Sequence, residues 1–167
     1  MSTPETSTTM TGRSRKLQIA LTIYISFVFI QSLFFKFSGA PETQHIFSTL
    51  DAWAAESFGA SGLFLPPGPF NAYVIGSAEL VASLMLLIGL AARFLWVNTL
   101  GALLALGIIS GAIVFHLFTP LGVDVQGDGG LLFAMAVGVW LAALALIVMG
   151  RKAMKAGSST AGPATAA

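Results

Sequence analysis

The chain has no cysteine and very little charge. Without cysteine among its 167 residues, it cannot form disulfides, thiol redox centres, iron–sulfur clusters or thiolate metal sites. Charged residues make up 9% of the chain, against roughly 25% in an average soluble domain. This is too few for the polar shell of a soluble fold, and the mean hydropathy is +0.86. The composition therefore predicts an integral membrane protein, and a net charge of +1 without a basic face indicates no nucleic-acid partner.

Four apolar runs are long enough to cross a bilayer, which takes roughly 20 helical residues. They cover residues 17–37, 71–92, 94–118 and 129–150. This pattern predicts an all-α integral membrane fold, a four-transmembrane-helix bundle over residues 17–150. The polar tails 1–16 and 151–167 are predicted to be disordered. Small residues four apart, such as Gly107 and Gly111, indicate close packing between helices.

Lysine and arginine residues are distributed unevenly between the two sides of such a bundle. With four spans, seven of the eight basic residues fall on one side, namely Arg13, Arg15, Lys16, Arg93, Arg151, Lys152 and Lys155. Because basic residues are concentrated on the cytoplasmic side of membrane proteins, this side and both termini are predicted to be cytoplasmic.

The first outer loop, residues 38–70, contains a second kind of helical pattern. Apolar residues recur at helical spacing, namely Ile46, Phe47, Leu50, Trp53, Ala54 and Phe58. Pro41 suits the first turn, and polar residues including Asp51 are placed mostly on the other side. The pattern predicts an amphipathic helix lying on the membrane surface. Two interpretations stay open: a helix that covers the top of the bundle, and a lid over a binding site.

Glu79 is the most unusual residue of the spans, because a carboxylate inside a membrane is costly unless it finds a partner. It lies about 12 Å below the outer surface if the second span starts near residue 71. Lys36, His116 and Asp128 end or begin the other three spans on the same side. One interpretation is a structural ion pair of Lys36 with Glu79. The other is an outward-facing polar pocket in which Glu79 and His116 act as catalytic proton-transfer groups and Lys36 contacts the ligand.

The remaining candidate ligand-binding residues each have a structural alternative. Asp128 in "QGDGG" either caps the last span or lines the pocket. His116 is an interface histidine, a proton-transfer group or a metal or haem ligand, but no spacing rule supports a haem between it and His45. Gln31 either lines the cavity or packs. The inner halves of the spans offer only scattered neutral groups, and no metal-site motif is present.

Several short motifs carry a resemblance to a known family. They are "FFKFSGAPE" with Lys36, "GSAEL" with Glu79, "IGLAARF" with Arg93, "GAIVFHLF" with His116, and "DGGLLFAMAVGVW". In order and placement, over roughly residues 17–150, the chain resembles the DoxX family of small four-span bacterial membrane proteins. The resemblance implies a four-helix bundle with outward-facing polar residues. It also implies a link to quinone-reducing oxidoreductase complexes and oxidative-stress assemblies.

The leading functional prediction is a bacterial inner-membrane protein that binds a quinone or similar small lipophilic molecule. It would be the membrane part of an oxidoreductase system, with electrons supplied by a redox partner or a bound cofactor. The alternative is a non-enzymatic membrane anchor or scaffold subunit of a complex. A small-molecule transporter ranks third, because it needs a polar route to the inner side. The patterns leave open whether the chain forms a homo-oligomer.

Overall fold

The computed structural model describes residues 12–159, and every regular element in that range is an α-helix. The helices are α1 (Gly12–Ser38), α2 (Pro41–Phe58), α3 (Ala72–Ala91), α4 (Leu95–Phe118) and α5 (Leu131–Ser159). All of them except α2 are long and apolar enough to cross a membrane. The predicted all-α, four-span membrane fold is therefore confirmed.

The four spans form a closed ring of antiparallel neighbours. α4 packs against α3 and α5, and α1 closes the ring by packing against the same two helices. Ile25, Phe29, Leu86, Val139 and Leu146 fill the centre and are almost fully buried. Other large apolar side chains point outward, as expected where the surrounding solvent is lipid.

Glycine residues set the closest helix contacts. A Cβ atom at Gly89 would lie 2.8 Å from Asn98 Cα, and one at Gly101 would lie 2.9 Å from the Leu86 backbone nitrogen. These two residues therefore let α3 and α4 approach closely. Gly107 and Gly111, predicted to pack helices, have no heavy atom within 4 Å of an added Cβ. Both glycines therefore border open space, and neither sets a close contact between helices.

α2 and two loops form a cap over one end of the bundle. The apolar side of α2, with Phe47 and Leu50, shares a small core with Phe64 of the following loop and with Leu121 and Val125 of the α4–α5 loop. The amphipathic helix thus covers the bundle, which was one of its two interpretations. We call this end, formed by residues 41–71 and 119–130, the cap end.

Asp51 departs from the predicted pattern, because it is buried on the inner side of α2. Its carboxylate accepts hydrogen bonds from the backbone N–H groups of Phe64 at 2.9 Å and Gly62 at 3.1 Å. These two bonds, that of Phe64 first, hold the pKa of Asp51 below its usual value. The residue anchors the loop after α2, which explains why a charged side chain is tolerated there.

The first and last spans, α1 and α5, are longer than the hydrophobic runs that predicted them. α1 begins at Gly12 and α5 continues to Ser159, so residues 12–16 and 151–159, predicted to belong to disordered tails, are helical. Hydropathy detects the part of a helix inside lipid, whereas Lys and Arg are good helix formers that extend it into water. The predicted disorder of residues 1–11 and 160–167 lies outside the described residues.

The seven basic residues on one side of the predicted bundle do share one end. They lie at the start of α1, in the turn between α3 and α4, and at the end of α5. We call this the basic end, opposite the cap end. Arg93 makes the tight α3–α4 turn with a positive φ of 59°, a conformation that usually favours glycine.

Candidate functional site

The centre of the candidate site is an ion pair between α1 and α3. Lys36 Nζ lies 3.1 Å from Oε1 and 3.0 Å from Oε2 of Glu79. It also hydrogen-bonds to Ser32 Oγ, one helical turn before Lys36. The two charged side chains are only 14% and 7% exposed. The pair leaves no net charge in the apolar interior, which explains how Glu79 can stand inside a span.

The close approach of α1 and α3 beside this pair depends on Gly76. An added Cβ at Gly76 would lie 3.0 Å from the Phe37 ring and 3.3 Å from Leu33 Cδ2. Phe37 also stacks on Tyr73, with ring centroids 6.0 Å apart. The two helices therefore fit together through aromatic and aliphatic contacts directly on the cap-end side of Glu79.

A groove runs along α1 next to this contact. It has a volume of 310 Å³ and is lined by Leu33, Phe34, Phe37 and Ser38. Leu33 and Phe37 thus border the groove on one side and α3 on the other. Phe34 is 76% exposed, so the groove opens towards the lipid rather than towards the bundle axis.

His116 does not join the Lys36–Glu79 pair. Its Nδ1–H donates to the Gly122 carbonyl at 2.7 Å, and its ring lies edge-on to Phe133 of α5 with centroids 5.7 Å apart. Gly101 packs at the level of Leu86. His116 lies 15 residues from Gly101 along α4, and Glu79 lies 7 residues from Leu86 along α3, both towards the cap end. The two side chains therefore differ in depth by about 12 Å. The contacts of His116 join α4 to the loop before α5.

Asp128 organises that same loop. Its carboxylate accepts hydrogen bonds from the N–H groups of Leu132 at 2.9 Å, Gly130 at 2.9 Å and Val125 at 3.0 Å. These bonds, that of Leu132 first, hold the pKa of Asp128 below its usual value. Asp128 therefore caps the start of α5, as one interpretation of the "QGDGG" motif predicted.

The other two candidates lie on the surface. His45 is exposed on α2 and Gln31 is exposed on α1. Among the described residues, no group of three or more His, Asp or Glu side chains is placed to hold a metal ion. Of the six candidates, the structure thus brings together Lys36 and Glu79, and it adds Ser32, which sequence reasoning missed.

A second polar cluster lies deeper in the bundle, towards the basic end. Asn98 Nδ2 donates to Thr22 Oγ1 at 3.2 Å and to the Leu86 carbonyl at 2.9 Å. Gln18 Nε2 donates to Asn98 Oδ1 at 3.2 Å. We call Gln18, Thr22 and Asn98 the amide cluster. These three neutral residues of the inner half, which looked scattered in the sequence, are thus joined by hydrogen bonds that link α1, α3 and α4.

The comparison with family models identifies the chain. The DoxX model matches residues 18–117, which is more than half of the chain and includes Lys36, Glu79, the amide cluster and His116. The chain belongs to the DoxX family. No curated protein and no solved structure matches this DoxX protein. The motifs that suggested the resemblance lie largely within the matched region, and "DGGLLFAMAVGVW" follows it.

One signal of the amide cluster was present in the sequence. Arg15, Gln18, Thr22 and Ser26 recur every three or four residues and so share one face of α1. A polar face on a membrane helix predicts polar partners on the helices opposite. Ser32 had a similar signal, because it precedes Lys36 by one turn.

Proposed function

We propose that this DoxX protein binds a quinone or a similar small lipophilic molecule at the cap end of α1. The observation that carries the proposal is the groove beside the Lys36–Glu79 pair. Leu33 and Phe37 line the groove and also contact Gly76, which precedes Glu79 by one turn. Two side chains therefore separate a lipid-facing apolar groove from a buried ion pair.

This arrangement suits a flat ring that carries carbonyl oxygens. The groove is apolar and aromatic on the lipid side, which is the side from which such a molecule arrives. A shift of Phe37 would bring the ring towards Lys36, whose ammonium group donates hydrogen bonds to carbonyl oxygens. Glu79 would then exchange a proton with the ligand oxygen. Reduction of a quinone to a quinol needs two electrons and two protons. A redox partner or bound cofactor would supply the electrons, and Glu79 would pass on the two protons in turn, each taken up from water.

We further propose that the protein lies in a bacterial inner membrane, and the distribution of charge supports the orientation of its two ends there. The basic end is expected on the cytoplasmic side, so the cap end, the ion pair and the groove belong to the outer leaflet. A ligand would therefore enter laterally from the outer leaflet, and both termini would be cytoplasmic.

A binding experiment in lipid nanodiscs tests the proposal. The purified protein would first be extracted with organic solvent, and the extract identified by mass spectrometry. It would then be titrated with a short-chain quinone, with binding followed by tryptophan fluorescence. Phe34→Ala removes one wall of the groove and should weaken binding. Phe118→Ala is the matched control, because this phenylalanine is 73% exposed at the end of α4, and it should leave the affinity unchanged. Equal affinity of both variants and the parent would refute the site.

A non-enzymatic membrane subunit is the second candidate function. The observation that favours it is that the polar candidates already have partners within the chain. Lys36 and Glu79 satisfy each other, and His116 and Asp128 hold a loop. Under this alternative, Glu79→Gln lowers stability but leaves the association with a partner enzyme intact in a co-purification assay.

A further inference from the structure

Three buried polar atoms in the α1–α3 region have no hydrogen-bond partner among the described residues. They are Ser26 Oγ, Ser83 Oγ and Gln18 Oε1, on side chains that are 3%, 1% and 2% exposed. Hydroxyl groups elsewhere in the spans avoid this situation. Thr99 and Ser110, for example, donate to the carbonyl one turn earlier. Because buried polar groups in proteins nearly always have a partner, protein or water, the serine pair requires an explanation.

The helix register places Ser26 opposite Ser83. Leu33 of α1 lies against Gly76 of α3, and the two helices are antiparallel. Two turns further towards the basic end, α1 reaches Ser26 and α3 reaches Ser83, each seven residues away from the contact. Seven residues also bring the side chain back to the same helix face. The two unpartnered hydroxyls therefore share one level and one interface.

We propose that this level of the α1–α3 interface is a binding site for internal water. At a given separation of the helix axes, two serine side chains fill less of the interface than the leucine and phenylalanine side chains of the neighbouring layers, which leaves room for a water molecule between them. A water molecule there has the two hydroxyls as partners, together with the second lone pairs of the Thr22 and Glu79 carbonyls, one turn before each serine. Buried water typically makes about three such bonds.

The site would connect the two polar clusters of the bundle. Ser83 lies one turn, about 6 Å, from Glu79 along α3. On the other side, Thr22 lies one turn from Ser26 and already binds Asn98. Water at this level completes a polar path from the basic end, through the amide cluster, to the ion pair. Glu79 could then take up a proton from the basic end, or release one to it, through the bundle interior. This inference does not depend on whether a quinone binds.

Thiol exchange tests the proposal directly, because the chain has no cysteine of its own. Ser26→Cys and Ser83→Cys each introduce a single thiol, whose S–H band in the infrared shifts on exchange with deuterated water. Ala105→Cys is the matched control. Ala105 is fully buried and, four residues from Gly101, lies near the depth of Ser83 on α4. If water occupies the site, the serine-derived thiols should exchange at least about tenfold faster than the control, equivalent to about 1.4 kcal/mol.

Equal, slow exchange of all three thiols would overturn the proposal, and the hydroxyls would then be satisfied by helix carbonyls. A second measurement needs no substitution and so does not depend on the variants folding. In radiolytic hydroxyl-radical labelling, side chains beside bound water are modified even when buried. Leu86, next to Ser83, should be labelled several-fold more than Leu146, which is similarly buried in the apolar core. Equal labelling of these two leucines would likewise refute the site. Neither measurement involves a quinone, so failure here and failure of the ligand proposal are distinguishable.

Discussion

Replacing Lys36 by Met should leave Glu79 alone inside the bundle. Glu79 is 7% exposed and lies about 11 Å from the start of α3, so its carboxylate cannot extend into bulk water. The variant can avoid an unpaired buried charge only if Glu79 is protonated. At pH 7, neutralising a carboxylic acid of ordinary pKa costs about 3.7 kcal/mol, which sets a ceiling on the loss of stability. We therefore expect Lys36→Met to lower the free energy of unfolding by about 2–3.7 kcal/mol at pH 7, close to the values for broken buried pairs.

The same reasoning predicts how this cost depends on pH. Protonating a lone carboxylate becomes easier by about 1.4 kcal/mol for each unit by which the pH falls. The destabilisation should therefore shrink towards pH 5. Lys16→Met, which removes an exposed charge at the basic end, should change little at either pH. A destabilisation of Lys36→Met that does not vary between pH 7 and pH 5 would refute the reasoning.

Replacing Glu79 instead of Lys36 should destabilise the protein less. After Glu79→Gln, Lys36 keeps Ser32 as a partner, and its long side chain can extend towards the cap end, so we expect a loss of about 1–2 kcal/mol. In the double variant no charge remains, and its loss should be at least 1 kcal/mol smaller than the sum of the single losses. The assay is unfolding in mixed detergent micelles, followed by tryptophan fluorescence. Losses that add to within about 0.5 kcal/mol would show that the two groups are not coupled.

Three further predictions concern the cap, the close contact between α3 and α4, and the amide cluster. The pKa of Asp51 is lowered in the folded protein. Its ionised carboxylate therefore stabilises the cap fully above pH 3.8, the usual pKa of the group. This stabilisation is lost as the pH falls through the lower pKa of the folded state. Asp51→Asn should therefore speed proteolysis of residues 59–70 at neutral pH and remove part of the acid dependence; unchanged cleavage would contradict this. Gly89→Ala should cost about 1–3 kcal/mol by pushing α3 from Asn98, whereas Gly107→Ala, in open space, should be neutral or stabilising; similar melting temperatures would argue against the close contact. Asn98→Leu should cost about 1–3 kcal/mol, because it leaves buried partners unsatisfied, and a neutral effect in the same unfolding assay would show that the cluster contributes little.

The sequence was sufficient for the architecture because lipid imposes strict rules on composition. Each span must be apolar over about 20 residues, so hydropathy located all four spans. The pairing of Lys36 with Glu79 was also predictable, since each is unusual in its span and few partners are available. Pro41 and the helical spacing of the apolar residues that follow it located α2.

The geometry of the site was harder to predict, because hydropathy does not show how deep in the membrane a given side chain lies. Glu79 and His116 both belong to the cap-end half of their helices, yet about 12 Å of depth separates them. That separation follows from where Gly101 packs against α3, which is a property of shape rather than of composition. Asp51 was placed on the wrong side of α2 because its partners, Gly62 and Phe64, are backbone groups of a loop and leave no trace in the hydrophobic pattern.

The cap has a consequence for the order of events during synthesis. Its core joins Leu50 and Phe64 to Leu121 and Val125, which lie on either side of α3 and α4. At a translation rate of 5–20 residues per second, roughly 70 residues between Leu50 and Leu121 take about 4–14 s to make. During that interval the apolar face of α2 has no completed core to enter, although α1 and α3 have already emerged. The cap can therefore close fully only after the hairpin of α3 and α4 has returned residues 119–130 to the cap end. In a chain that stops before Leu121, the apolar face of α2 lacks the part of its core that Leu121 and Val125 supply.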